Sequence, residues 1–173
     1  PFAAAAIEAP YHEVMNHLHT LSTGRDCYGL VHTDVHRGNF VMDAEGHLTL
    51  FDFDDCTYTW FIDDIAMALF YAMPVGQGEA ETQAFARTFL TAFLHAYFKE
   101  HVLDLAWFEE IPHFMKAREL AVYAALLAHT EGNLSALAGW SARFMAGRGE
   151  HIAARRPCLT LDFADVASES LKA

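Results

Sequence analysis

The chain is short of positive charge. Its 173 residues carry 11 Lys and Arg against 23 Asp and Glu, a formal net charge of −12. A general nucleic-acid binder needs a basic face to neutralise phosphates, so that class is excluded. Cysteine is scarce too. Cys27, Cys56 and Cys158 are far apart, with no C-x-x-C pair and no even set for a disulfide framework. Free thiols of a cytoplasmic protein are the expectation. No apolar run approaches the ~20 residues of a membrane span. The apolar start at residues 1–6 lacks the basic flank of a signal peptide.

What remains is a chain rich in core-forming residues. Hydrophobic side chains make up 53%, enough for one packed domain rather than a disordered segment. There are 11 His, and the first residue is Pro1, which reads as a cut inside a longer protein. No repeat or linker divides the chain.

The front half reads as short strands and the rest as helices. Val14, Leu18 and Leu21 recur at helical spacing and predict a helix over 10–21. Strands are predicted over 28–32, 40–43 and 48–52, the last two joined as a hairpin through the turn at 44–47. Asp43 opposite Leu48 would place Asn39 opposite Asp52. From Asp63 the period becomes helical, with Asp63 or Asp64 as N-cap. Further helices are predicted over 79–100, 106–114, 116–129 and 134–145. Phe85, Phe89, Phe93 and Tyr97 form a stripe on the first of these, read as core.

The densest polar cluster follows the strands. Residues 32–39 are H-T-D-V-H-R-G-N and residues 50–55 are L-F-D-F-D-D. Polar groups directly after apolar strands lie on the loops that carry function. The amide oxygen of Asn39 and the carboxylate of Asp52, with Asp34 close by, would suit one hard cation. Magnesium favours a few such oxygens together with waters and substrate phosphates. His32 and His36 have i,i+4 spacing, but Thr33 stands where a zinc protease needs Glu, and the segment follows a strand rather than lying in a helix. His12, His17 and His19 read as solvated or packed. The acids at 52–55 and 63–64 lack EF-hand spacing.

H-x-D-x-H-x-x-N at 32–39, then strand, turn, strand and F-D-F-D at 51–54, resembles the catalytic and metal-binding segments of the phosphotransferase enzyme family. That family includes aminoglycoside phosphotransferases and homoserine and choline kinases. The motifs echo the paired H-R-D and D-F-G segments of protein kinases, and D-D-I-A at 63–66 is similar to the family's helix opening.

The resemblance implies an α+β, mostly α, kinase-like C-terminal lobe over 1–173, with the hairpin carrying the reactive residues. It implies Asp34 as catalytic base, His36, Arg37 and Asn39 toward the nucleotide, and Asn39, Asp52 and Asp54 toward the metal, with ATP and Mg²⁺ as cofactors. His32 would be structural, and Asp64 would brace the loop through backbone hydrogen bonds. Tyr58, Trp60, Phe61, Trp107, Tyr123 and Trp140 could line a pocket for a small-molecule acceptor.

The glycine-rich, lysine-bearing lobe that covers ATP in such kinases has no counterpart here, so the chain alone is expected to transfer phosphate poorly. The face left for that lobe could pair two copies into a homodimer. Two rivals stand beside this reading. One is a non-catalytic helical binding module, and the other is protein Ser/Thr kinase-like acceptor choice.

Overall fold

In the computed structural model, the backbone is described for residues 2–172 and side chains from Ile7 onward. Helix α1 spans Phe2–Leu18, and strand β1 follows at Tyr28–Val31. The hairpin consists of β2 (Phe40–Met42) and β3 (Leu48–Leu50), and β4 (Thr57–Trp60) runs straight into α2 (Phe61–Ala72). Helix α3 is Glu79–Glu100. A 3₁₀ turn at Leu105–Glu110 then leads into α4 (Ile111–His129). The chain continues through a second 3₁₀ turn (Leu134–Ala136), α5 (Gly139–Met145), α6 (Arg148–Ala153) and α7 (Phe163–Lys172). This is the α+β, mainly helical architecture expected.

Helix α2 organises the core. It is apolar nearly all round, the signature of a buried helix, and Ile62, Ile65, Ala66, Met67, Leu69 and Phe70 are buried. It packs against α3, α4 and β1. Helix α4 adds Ile111, Phe114, Met115 and Leu120 to that core, and α7 adds Phe163, Val166 and Ala167.

Several boundaries differ from the sequence reading, each for a physical reason. Helix α1 begins at Phe2 with Pro10 inside it, because the alanine run before Pro10 is the best helix-forming sequence available. Strand β4 went unpredicted, although T-Y-T-W is β-prone. Its partner is the distant β1, with Tyr28 opposite Trp60. Helix α7 was also unpredicted, yet it carried a start signal. Asp162 accepts a hydrogen bond from the Asp165 N–H at 2.9 Å through its side chain. The break near Pro112 falls just before it, and Pro112 occupies the first turn of α4, where its missing N–H costs nothing.

Two expectations about faces are corrected. The buried face of α3 is Ala86, Leu90 and Leu94. The aromatic stripe flanks that face as a half-exposed ladder, with ring centroids 6.1, 5.9 and 6.2 Å apart along Phe85, Phe89, Phe93 and Tyr97. The anticipated aromatic pocket is not assembled. Trp60 packs on Tyr28 and Phe114, Tyr123 is buried, and Tyr58 is 67% exposed.

The strands leave an apolar surface uncovered: Leu30, Val41, Met42, Leu48, Phe51 and Phe53 are all exposed. Among the described residues no helix is long and apolar enough to cross a membrane. The three cysteines are free.

Leu69 is fully buried in α2. Leu69→Ala is therefore expected to lower stability by about 2–5 kcal/mol. Leu30→Ala, on the exposed strand face, should change it by less than about 0.5 kcal/mol. Chemical denaturation of the two variants checks the assignment of the core.

Candidate active site

The site is built where β1 ends. Because β1 pairs antiparallel with β4, with Tyr28 opposite Trp60, β4 delivers the start of α2 beside the entrance of β1, where the Phe61 N–H donates to the Cys27 carbonyl. The helix then runs back along the strand, and a side chain of its first turn reaches the exit of β1. Asp64 lies in that turn. Its Oδ2 accepts the His32 N–H at 3.1 Å and its Oδ1 accepts the Thr33 N–H at 2.7 Å. Asp63 and Asp64 are not the helix N-cap, as the sequence suggested. That place is taken by Trp60, with no side-chain cap. Asp64 braces the loop instead, as the resemblance implied.

Thr33 has φ +64°, a strained conformation for a β-branched residue. Three bonds over-determine it. Its N–H is held by Asp64, its hydroxyl donates to the Asp55 carbonyl at 2.9 Å, and its carbonyl accepts from Arg118 Nη2. His32 is buried and joins two segments. Its Nε2 meets the Phe51 carbonyl at 3.0 Å, and its Nδ1 accepts the Asp34 N–H at 3.4 Å. That pattern assigns the Nε2–H tautomer.

Asp34 is the centre of the loop. The Asn39 side-chain amide donates to the Asp34 Oδ2 at 3.1 Å and to its carbonyl at 3.0 Å. His36 Nε2 is 3.5 Å from Asp34 Oδ2, and Arg118 Nη2 is 3.8 Å from Asp34 Oδ1. His36 Nδ1 accepts from the Gly38 N–H at 3.0 Å. Asp34, His36 and Asn39 are thus brought together. Arg37 is solvent-exposed, as are Asp52 and Asp54.

The hairpin register differs from the expected one by a residue. Phe40 faces Leu50, so Asn39 lies opposite Phe51, whose N–H donates to the Asn39 carbonyl at 3.0 Å. The cause is the turn. Asp43 closes it against His47, with the Asp43 carboxylate accepting from the N–H of Glu45 and of His47. The loop is therefore three residues, with Gly46 at φ +90° in the left-handed position such loops favour. Asp52 falls just past the ladder, itself at φ +64°. It adjoins Asn39 through Phe51 rather than by direct pairing.

Two residues escaped the sequence reading. Arg118 of α4 bonds the Thr33 carbonyl, approaches Asp34, and lies 5.5 Å over the Tyr71 ring. Tyr71, at the end of α2, packs edge-on to His36 at 5.1 Å. The available signal was the K-A-R-E quartet at 116–119 inside an otherwise apolar helix. Burial raises the Tyr71 phenol above its ordinary value; Arg118 opposes this and the Asp34 charge adds to it. Burial pushes the Asp63 carboxyl up to about 7, against the pull of Arg118 and with help from Asp64.

A cavity of about 440 Å³ opens at the C-terminal end of α2, lined in part by Phe70, Val75, Trp140, Phe144, Arg148 and Arg156. Of the six aromatics singled out in the sequence, only Trp140 lines it. The Tyr71 ring meets both His36 and Trp140, the latter at 6.2 Å.

A strand-exit aspartate is thus held by an asparagine five residues on, with the exposed carboxylates of Asp52 and Asp54 just past the hairpin. Residues 7–111 match the model of the phosphotransferase enzyme family, and the chain belongs to that family. It is 37% identical over 152 residues to amicoumacin kinase of Bacillus subtilis (strain 168), covering 87% of this chain and 44% of that protein. It is 32% identical over 120 residues to an uncharacterized protein of Deinococcus radiodurans, covering 69% of this chain and 34% of that one. A solved amicoumacin kinase in complex with AMP-PNP, Ca²⁺ and Ami superposes with TM-score 0.77 at 33% identity, covering 96% of this chain and 49% of that one. The chain thus spans less than half the length of these relatives.

Two outcomes are expected here. Asp64→Ala leaves two backbone N–H groups unpaired and releases strained Thr33. It should cost about 1–3 kcal/mol in urea unfolding. Asp63 has a folded pKa raised above its unfolded value, so the native state holds the extra proton between the two. Its contribution to stability is full below pH ~4 and is lost as pH rises to about 7. Asp63→Asn should therefore flatten that decline and raise the Tm above pH 7, by about 2–4 °C per kcal/mol relieved.

Proposed function

We propose that this chain carries the catalytic loop of an ATP-dependent phosphotransferase that acts on a hydroxyl group of a small molecule. The observation that carries the reading is the Asp34–Asn39 pair, with the Asn39 amide at 3.1 Å from the Asp34 carboxylate. Asp34 accepts the proton of the acceptor hydroxyl, or holds that hydroxyl in line with the phosphoryl group. The Asn39 amide nitrogen is committed to Asp34, which orients the residue and leaves its oxygen available.

That oxygen and the exposed carboxylates of Asp52 and Asp54 are hard donors suited to Mg²⁺ or a similar cation. Such an ion, when bound, neutralises charge on the nucleotide phosphates. Arg37 at the loop surface supplies positive charge to the same phosphates, and His36, whose Nδ1 accepts the Gly38 N–H, offers its Nε2 as a hydrogen-bond donor beside them. Tyr71 and Arg118 hold the loop from the helical side, so the Asp34 carboxylate stays positioned without a substrate.

The chain spans 44–49% of the kinases it matches. The proposed reaction is accordingly that of this segment as one C-terminal lobe joined to the ATP-covering remainder of such a kinase. The exposed apolar strand face is the surface that remainder would cover. By itself the chain is proposed to bind ATP weakly and to transfer phosphate poorly. The kinship with amicoumacin kinases makes an amicoumacin-type acceptor the first candidate. The cavity beside Trp140 offers room for part of an acceptor.

The test is a panel of hydroxyl-bearing small molecules, amicoumacin among them, assayed with ATP and Mg²⁺ on the full-length parent protein. Asp34→Ala should lower kcat by about 10²–10⁴-fold. Full activity in Asp34→Ala would overturn the role of the loop. No transfer to any small molecule, with transfer to protein substrates, would favour Ser/Thr acceptor choice. ATP-independent ligand binding would favour a non-catalytic module.

A further inference from the structure

Of the 11 histidines, two lie in the loop just described. Another two meet elsewhere, where the last turn of α1 crosses the start of α4. His17 closes α1, Glu110 ends the 3₁₀ turn before α4, and His113 lies in the first turn of α4. His17 Nε2 is 2.6 Å from Glu110 Oε2, and His113 Nδ1 is 3.0 Å from the same oxygen. One ligand atom from each residue lies within 4.8 Å of the other two. The two rings stack, with centroids 3.8 Å apart and planes 26° apart.

We propose that His17, Glu110 and His113 form a binding site for a divalent transition-metal ion, Zn²⁺ by preference, that clips α1 to the start of α4. Two imidazoles and a carboxylate are the ligand chemistry of zinc, with a water in the fourth position. Zinc bonds of about 2.0–2.2 Å at tetrahedral angles place neighbouring ligand atoms roughly 3.3 Å apart. To admit the ion, the separation of 2.6 Å from His17 needs to open by about 0.7 Å and that of 3.0 Å from His113 by about 0.3 Å. One ring must turn about its outer side-chain torsion to bring both lone pairs onto a single centre, and that torsion is soft.

An independent observation points the same way. His113 Nδ1 is buried and, despite its short distance from Glu110, makes no hydrogen bond of acceptable geometry. A buried nitrogen without a hydrogen bond is a cost that metal ligation removes. Burial and the neighbouring His17 also hold the His113 ring below its ordinary pKa, in spite of Glu110. The side chains are 37%, 19% and 40% exposed for His17, Glu110 and His113, so the cluster lies at the protein surface.

The site is separate from the oxygen donors proposed for Mg²⁺. Imidazole selects against hard cations, so the two sites would not compete for one metal. Its effect would be structural. Helix α4 also carries Arg118, and a clip at its first turn would anchor the helix whose fifth residue beyond His113 holds the Thr33 carbonyl.

The test is zinc and Co²⁺ binding to this chain, followed by competition with a chelator, by thermal shift and by the visible spectrum of the Co²⁺ form. One equivalent of zinc is expected, with a rise in Tm and with the intense visible bands of four-coordinate Co²⁺. Even outer-shell partners of metal ligands cost 10–100-fold in affinity. His17→Ala and His113→Ala should each weaken zinc binding by about 100-fold or more, while a His12→Ala/His19→Ala double variant keeps it. Far-UV circular dichroism of each apo variant verifies folding, and Glu110→Gln provides a second, near-isosteric disruption. Zinc uptake unchanged in the His17 and His113 variants would overturn the proposal, as would a weak six-coordinate Co²⁺ spectrum.

Discussion

The carboxylate of Asp64 is the joint on which the site depends. It accepts two consecutive backbone N–H groups, from His32 and Thr33, and so ties the end of a strand to the first turn of the most buried helix. Charge-assisted hydrogen bonds of this kind are short and directional. The negative charge also sits at the favourable end of the helix dipole. One side chain thereby transfers the rigidity of the core to a loop that would otherwise be free to move.

That rigidity is put to use. Thr33 and Asp52 both occupy the left-handed region, where side chains with a Cβ are disfavoured. Such conformations persist only when their surroundings hold them. For Thr33 the surroundings are Asp64, Asp55 and Arg118. The turn at Thr33 aims Asp34 toward Asn39, and the turn at Asp52 takes the chain off the hairpin so that its carboxylate is exposed. Arg118 completes the electrostatic arrangement. It lies near Asp34 and within reach of the Asp63 charge, so one cation serves several acids crowded at the start of α2.

Helix α4 is the common beam. Arg118 reaches the loop. The adjacent Glu119 is fully buried and meets Lys116, Arg148 and His151. Burial alone would raise its pKa; Lys116 and Arg148 hold it below the ordinary carboxylate range. A buried acid of this kind is stable only while its partners remain, so it binds α4 to α6. The cavity beside Trp140 lies next to this network and shares Arg148 and His151 with it. Loop, cavity and helix bundle are therefore mechanically linked through two adjacent residues of one helix.

Much of this was legible in the sequence. The apolar strand followed by H-T-D-V-H-R-G-N marked the loop, because polar residues crowded after an apolar strand lie at strand ends. The hairpin, α2 and the long α3 were visible from their periods of two and 3.6. The bracing role of Asp64 was also expected. Local patterning could not decide register, since a three-residue turn closed by Asp43 and a four-residue turn fit the same letters. Only the side-chain hydrogen bonds of Asp43 separate them. Strand β4 was hidden because its partner is β1, distant in sequence. Arg118, Tyr71 and the His17–Glu110–His113 cluster were hidden for the same reason. The sequence by itself determined which polar residues the loop carries and the helical character of the rest, because these rest on short-range periodicity and motif spacing. Tertiary structure alone decided which charges meet, because such meetings depend on how helices cross, and no local spacing encodes that.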